Sequence, residues 1–151
     1  MVAVATLKYL TKQRLRDAEV LFYNSRYSAT VYLTGYALEL GLKRKICQTL
    51  SFTSGFPEST TDFNIYTTEI ANFNAIRTGD FLNQLRQIKN HDLNNLLTFS
   101  GARPTIMTSY QSDWFNVKDW DPASRYKREY ITSRKAESFI ISAKQILKQI
   151  V

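Results

Sequence analysis

Apolar residues in this chain recur at three- and four-residue steps, and no segment shows the apolar and polar alternation of a half-buried strand. The clearest case is the C-terminal stretch. Ala136, Ile140, Ala143, Leu147 and Ile150 form a stripe with Lys135, Lys144 and Lys148 off it, which predicts an amphipathic helix from about Tyr130 onward. The opening stretch reads the same way through Leu7, Leu10, Leu15, Ala18 and Phe22, until the turn-forming Asn24-Ser25-Arg26 breaks the pattern. Between the two, Ser28 to Leu42 is apolar on nearly every side, as suits the central helix of a bundle. Gly35 and Gly41 lie inside that helix, where a glycine costs about 1 kcal/mol against alanine, so they predict a neighbour that must come close.

The rest of the chain is patterned more weakly. A Ser/Thr-rich stretch at about 49–68 reads as a long connection, a lid or the edge of a partner surface, with Phe52, Phe56, Phe63 and Tyr66 either pinning it to the core or offering rings to stack on bases. Ile70, Phe73 and Ile76 suggest a short helical face, and Phe81, Leu82, Leu85 and Ile88 a second one after Thr78-Gly79-Asp80. A short helix begins at His91-Asp92, with Asn90 as its cap and Asp92 in its first turn, and ends at Gly101 with Pro104 close behind. Thr108 to Trp120 reads as one more helix, with Trp114, Phe115 and Val117 facing the core, before Asp121-Pro122 restarts the chain. The sum is one all-α domain over residues 1–151, an up-down bundle of about four to six helices.

Composition narrows the chemistry. At 151 residues and 44% hydrophobic content the chain closes a core without disulfides. One cysteine and one histidine cannot supply a closed zinc site, so no metal and no cofactor is expected, and Cys47 in its apolar run reads as an inert hydrophobe. No apolar run is long enough to span a membrane and no basic leader precedes the opening patch, which predicts a cytoplasmic protein. The net charge of +7 is uneven: residues 1–50 carry eight Lys/Arg against three acids, 51–120 five against seven, and 121–151 seven against three. Basic ends of this kind favour polyanions, and first and last helices packed side by side would merge them into one face.

Two features carry candidate chemistry. Glu39 is a carboxylate inside the most apolar helix and must find a partner; Lys43, four residues on, is the simplest, and a role in orienting a functional group is the alternative. Arg125, Tyr126, Lys127 and Arg128 form the densest basic cluster, either a solvated helix start or a contact for phosphates and bases.

Tyr27-Ser28-Ala29 leading into Gly35-Tyr36-Ala37-Leu38-Glu39-Leu40-Gly41-Leu42-Lys43, then His91-Asp92-Leu93, then Trp120 with Arg125-Tyr126 and a final amphipathic helix, together resemble the HEPN family of small helical domains. The resemblance implies a bundle of a few helices that forms a homodimer, an association with nucleotide or RNA chemistry, and a nucleotidyltransferase-like partner in a toxin-antitoxin or defence setting. It further implies that Glu39, His91, Arg125, Tyr126, Lys127 and Arg128 contact the ligand. Active members of the family carry an arginine followed by four to six residues and a histidine, a spacing that Arg86 to His91 meets. On that reading His91 would deprotonate a ribose 2′-hydroxyl, Arg86 would hold the phosphoryl oxygens, Glu39 would orient His91, and no metal would be needed. Gln87 stands where active members have a small polar residue, and Leu93 where some carry a modifiable tyrosine, which points to a binding protein without cleavage. A metal-independent endoribonuclease and a pure protein interaction module are the alternatives.

Overall fold

Tyr27–Thr49, which we call α2, is the spine of the molecule, and its burial follows from its sequence. Thr30, Thr34, Gly35, Ala37, Leu38, Glu39, Gly41, Leu42, Lys43, Ile46 and Cys47 are buried along it, on more than one face. The two buried threonines satisfy their hydroxyls within the helix, Thr30 Oγ1 donating to the Arg26 carbonyl at 3.0 Å and Thr34 Oγ1 to the Thr30 carbonyl at 2.8 Å. Helix α1, Val4–Tyr23, packs along α2 as the other arm of a hairpin. The turn between them is closed by Asn24, whose side chain and backbone both donate to the Val20 carbonyl, and by Ser25 in a left-handed conformation at φ 58°.

The computed structural model describes residues 1–73, 91–127 and 130–151. Beyond the hairpin they form α3 (Thr60–Phe73), α4 (Leu93–Phe99), α5 (Arg103–Ser109), α6 (Gln111–Val117), a 3₁₀ helix (Pro122–Tyr126) and α7 (Ser133–Ile150). The architecture is all-α, as the periodicity predicts. Helices α1, α4, α7 and the 3₁₀ helix all pack on α2, and α6 packs on α7. A Cβ on Gly41 would lie 2.5 Å from Leu147, so the predicted close approach at this glycine is made by α7. The two basic end helices also meet, through an ion pair between Lys144 and Glu19.

Several boundaries differ from the sequence reading. The Ser/Thr-rich stretch is helical from Thr60, because Ser59 and Asp62 form a reciprocal cap: Ser59 Oγ accepts from the Asp62 N–H at 3.1 Å, and Asp62 Oδ2 accepts from the Ser59 N–H at 3.1 Å. Its aromatics pin it to the core: Phe52, Phe56, Phe63 and Tyr66 are all buried, Phe52 and Tyr66 stack at 4.0 Å between centroids, and the Tyr66 hydroxyl donates to the Gly55 carbonyl at 2.7 Å. Val2 and Phe56 exchange backbone hydrogen bonds as one isolated antiparallel bridge. The cap of α4 is Asp92, whose carboxylate accepts from the Asn94 and Asn95 N–H groups at 2.8 and 3.2 Å. Thr108 to Trp120 is split at Tyr110, and Pro104 opens α5 instead of closing what precedes it. Trp114 and Val117 are buried as expected, three apart on one face, but Phe115 is 53% exposed because it lies about 100° around the helix from Trp114. Helix α7 starts at Ser133 with Thr132 as its cap, not at Tyr130. The side chains of Ile70 and Phe73, and Ile76, Gly79, the Phe81 to Ile88 stripe, Arg86, Asn90 and Arg128, lie outside the described residues.

Candidate functional site

One face of α2 carries Tyr32, Tyr36, Glu39 and Lys43 at four-, three- and four-residue steps, so their side chains line up along the helix. The site is built on this row. Glu39 is 2% exposed, and its carboxylate is held from two sides. Lys43 Nζ lies 2.9 Å from Oε1, and His91 Nδ1 lies 3.0 Å from both oxygens. Lys43 also reaches Glu58 at 3.4 Å and sits 4.9 Å from the centre of the Phe56 ring, so a buried ammonium is surrounded by two carboxylates and a π-face. Glu39 therefore meets both Lys43, the partner its spacing predicts, and His91, 52 residues away in the chain.

The geometry fixes the histidine tautomer. A carboxylate only accepts, so Nδ1 carries the proton, and in the neutral ring Nε2 is left with its lone pair. His91 is half exposed at its side chain and lines an open cleft of about 400 Å³ with Asp92, Asn94, Lys118, Asp119, Trp120 and Asp121. The acids of this cleft have other duties: Asp92 caps α4, Asp121 accepts from the Ala123 N–H at 2.9 Å to start the 3₁₀ helix, and Asp119 pairs with Lys118 at 2.8 Å.

Aromatic rings fill the middle of the row. The Tyr36 ring meets His91 edge-on at 6.4 Å, Trp120 at 5.0 Å and Tyr32 at 5.0 Å. Trp120 is pressed against α2 so closely that a Cβ on Gly35 would fall 2.1 Å from its indole nitrogen, and that buried N–H finds no acceptor among the described residues. Burial, with Tyr32 and Glu39 nearby, pushes the Tyr36 hydroxyl up to about 12. Tyr32 moves the other way, below its ordinary value, because Tyr36 and Arg125 hydrogen-bond its oxygen. Tyr36 thus stays a neutral phenol at physiological pH.

The far end is cationic. Arg125 Nη1 donates to the Tyr32 hydroxyl at 3.3 Å, and its guanidinium lies 4.7 Å over the Tyr126 ring. Arg125 and Lys127 line a second cavity, of about 290 Å³, with Ser28, Tyr32 and Ser124. The chain matches no family model, no curated protein and no solved structure.

The structure thus strings Glu39, His91, Arg125, Tyr126 and Lys127 along one side of α2, with His91 and Arg125 at opposite ends of a row of rings. Sequence reasoning missed Tyr32 and Tyr36 as the connection, although their helical spacing to Glu39 is visible in the chain. Cys47 is buried and its thiol is pushed up to about 12 by desolvation, in keeping with an inert side chain. No helix among the described residues is long and apolar enough to cross a membrane.

Proposed function

We propose that this chain is a HEPN-like homodimeric domain that binds a nucleotide or RNA without cleaving it, acting with a nucleotidyltransferase-like partner in a toxin-antitoxin or defence setting. The observation that carries the reading is the Glu39 carboxylate, which spends its buried charge on presenting one imidazole to a cleft. A burial this costly is retained where it fixes a geometry, and here it fixes an acceptor at Nε2 suited to a ribose hydroxyl or a base edge. The order of the groups supports the same assignment. The His91 end offers an imidazole, the Asn94 amide and carboxylates, which suit a base edge or a ribose hydroxyl, and the cations Arg125 and Lys127, which suit phosphate, sit at the other end of the ring row.

Asp92, Asp119 and Asp121 favour binding over cleavage. They surround His91 with negative charge, where a phosphoryl-transfer transition state gathers negative charge of its own. The second reading is a metal-independent endoribonuclease using Arg86 and His91, and the Glu39 to His91 contact is what favours it, since it orients a general base.

The deciding experiment incubates the purified protein with single-stranded and structured RNA in EDTA. Intact RNA that is retained by the protein, with affinity falling as salt rises, is the expected result. Cleavage that His91→Ala abolishes would replace this reading with the ribonuclease. Failure to bind any RNA or nucleotide, with a protein co-purifying instead, would leave an interaction module. A monomer by gel filtration across micromolar concentrations would remove the dimer.

A further inference from the structure

The start of α2 is bordered by two cavities that share Ser28, Ala29 and Ile131, and so form one continuous groove. Arg125 and Lys127 line one part of it; Arg26, Tyr27 and Tyr130 line the other, of about 470 Å³. Three cations therefore stand along one groove, and among the described residues no carboxylate forms an ion pair with any of them. Unpaired cations gathered in a concave surface raise the local potential and select an anionic ligand.

Exposed rings accompany these charges. Tyr130, which lines the groove, is 90% exposed, and Tyr126, whose ring lies under the Arg125 guanidinium beside the groove, is 78% exposed. Arg125 contacts the Tyr126 ring and donates to Tyr32, so its guanidinium has a fixed position, and most of the Tyr126 ring remains accessible. Arg26, the residue before α2, offers no side-chain acceptor to the first turn of the helix, which leaves this end of a 23-residue helix without the usual side-chain cap.

From this juxtaposition we infer that the groove binds a single-stranded polynucleotide, with successive phosphates against Arg125, Lys127 and Arg26 and bases stacked on Tyr126 and Tyr130. The inference rests on the nucleotide-binding reading above and adds to it the location, the strandedness and the stacking residues. A strand is specified over a mononucleotide because the cations are divided between two adjoining cavities, Arg125 and Lys127 in one and Arg26 with Tyr130 in the other. A single strand is specified over a duplex because only unpaired bases can leave their stack to cover protein rings.

The test is fluorescence anisotropy with a fluorescein-labelled eight-nucleotide oligouridine, over a series of salt concentrations. Arg125→Gln/Lys127→Gln should weaken binding about tenfold or more and flatten the salt slope by about 1.4, the value for two phosphate contacts on a single strand. Tyr126→Ala should weaken it about fivefold or more with the slope unchanged, and Tyr126→Phe should restore it. Lys8→Gln/Lys12→Gln on α1 removes the same charge from an exposed surface elsewhere and should change affinity less than about threefold. Equal losses from the two double variants would overturn the groove in favour of unspecific attraction. So would a duplex of the same length binding as tightly, or uridine monophosphate or inorganic phosphate competing as well as the strand. If uridine monophosphate binds in a manner that depends on His91 while the oligonucleotide does not bind, the groove falls and the nucleotide-binding reading stands. If no nucleic acid or nucleotide binds, both fall.

Discussion

The two ends of the α2 row treat charge in opposite ways. At the Glu39 end the central pair, Glu39 and Lys43, is buried and its partners lie within 3.4 Å, so its electrostatics are consumed in holding side chains still. At the Arg125 end the cations are in water and pair with no carboxylate among the described residues, so their field points outward. Burial with partners builds geometry. Exposure without partners leaves affinity to be used by something else.

That contrast can be broken by mutation, and the largest effect should come from the buried end. Glu39→Ala leaves Lys43 buried without its nearest carboxylate and should cost about 3–5 kcal/mol in urea unfolding, whereas Glu39→Leu combined with Lys43→Met should recover most of it. A cost below about 1 kcal/mol for the single change would mean that charge does not organise this end. Next comes the middle of the row: Gly35→Ala drives a methyl into the Trp120 indole, for a loss of about 1–3 kcal/mol and a shift in tryptophan emission. An unchanged emission maximum would show that the ring is not pressed against α2.

Asp92→Ala should cost about 1 kcal/mol through the lost cap of α4, and Asp92→Ser should recover most of that. Smallest of all, Arg125→Gln/Lys127→Gln should leave stability within about 0.5 kcal/mol of the parent, since both side chains are exposed and neither forms an ion pair among the described residues. A substantial loss of stability in that variant would erase the difference between the two ends.

Much of the buried end was legible in the chain, because it obeys rules that act within one helix. Glu39 stood out as a charge in an apolar run, Lys43 as its partner at the next turn, and Gly41 as the mark of a close helix. The contact between Glu39 and His91 spans 52 residues and rests on how α4 docks, which no local period encodes. What was misread has local causes too. Ser59-Thr60-Thr61-Asp62 is a capping signature hidden in a stretch whose composition suggests a loop. Thr108 to Trp120 has helical spacing throughout, yet Tyr110 adopts φ −133° and ψ 28° and divides it, and nothing in its side chain announces that. The groove was half legible: Arg125, Tyr126 and Lys127 are adjacent in sequence, but Arg26 and Tyr130 join them only through the packing of the 3₁₀ helix on α2.

The position of Trp120 has an optical consequence. The chain has two tryptophans, and Trp114 is enclosed by the core with its indole donating to Asn94 at 3.2 Å. Trp120 touches Tyr36 and borders the His91 cleft. A Trp114→Phe protein therefore carries a single tryptophan, placed between the two ends of the row. Its emission and quenching would register a ligand entering the His91 cleft on one side and loading of the groove on the other, without any label.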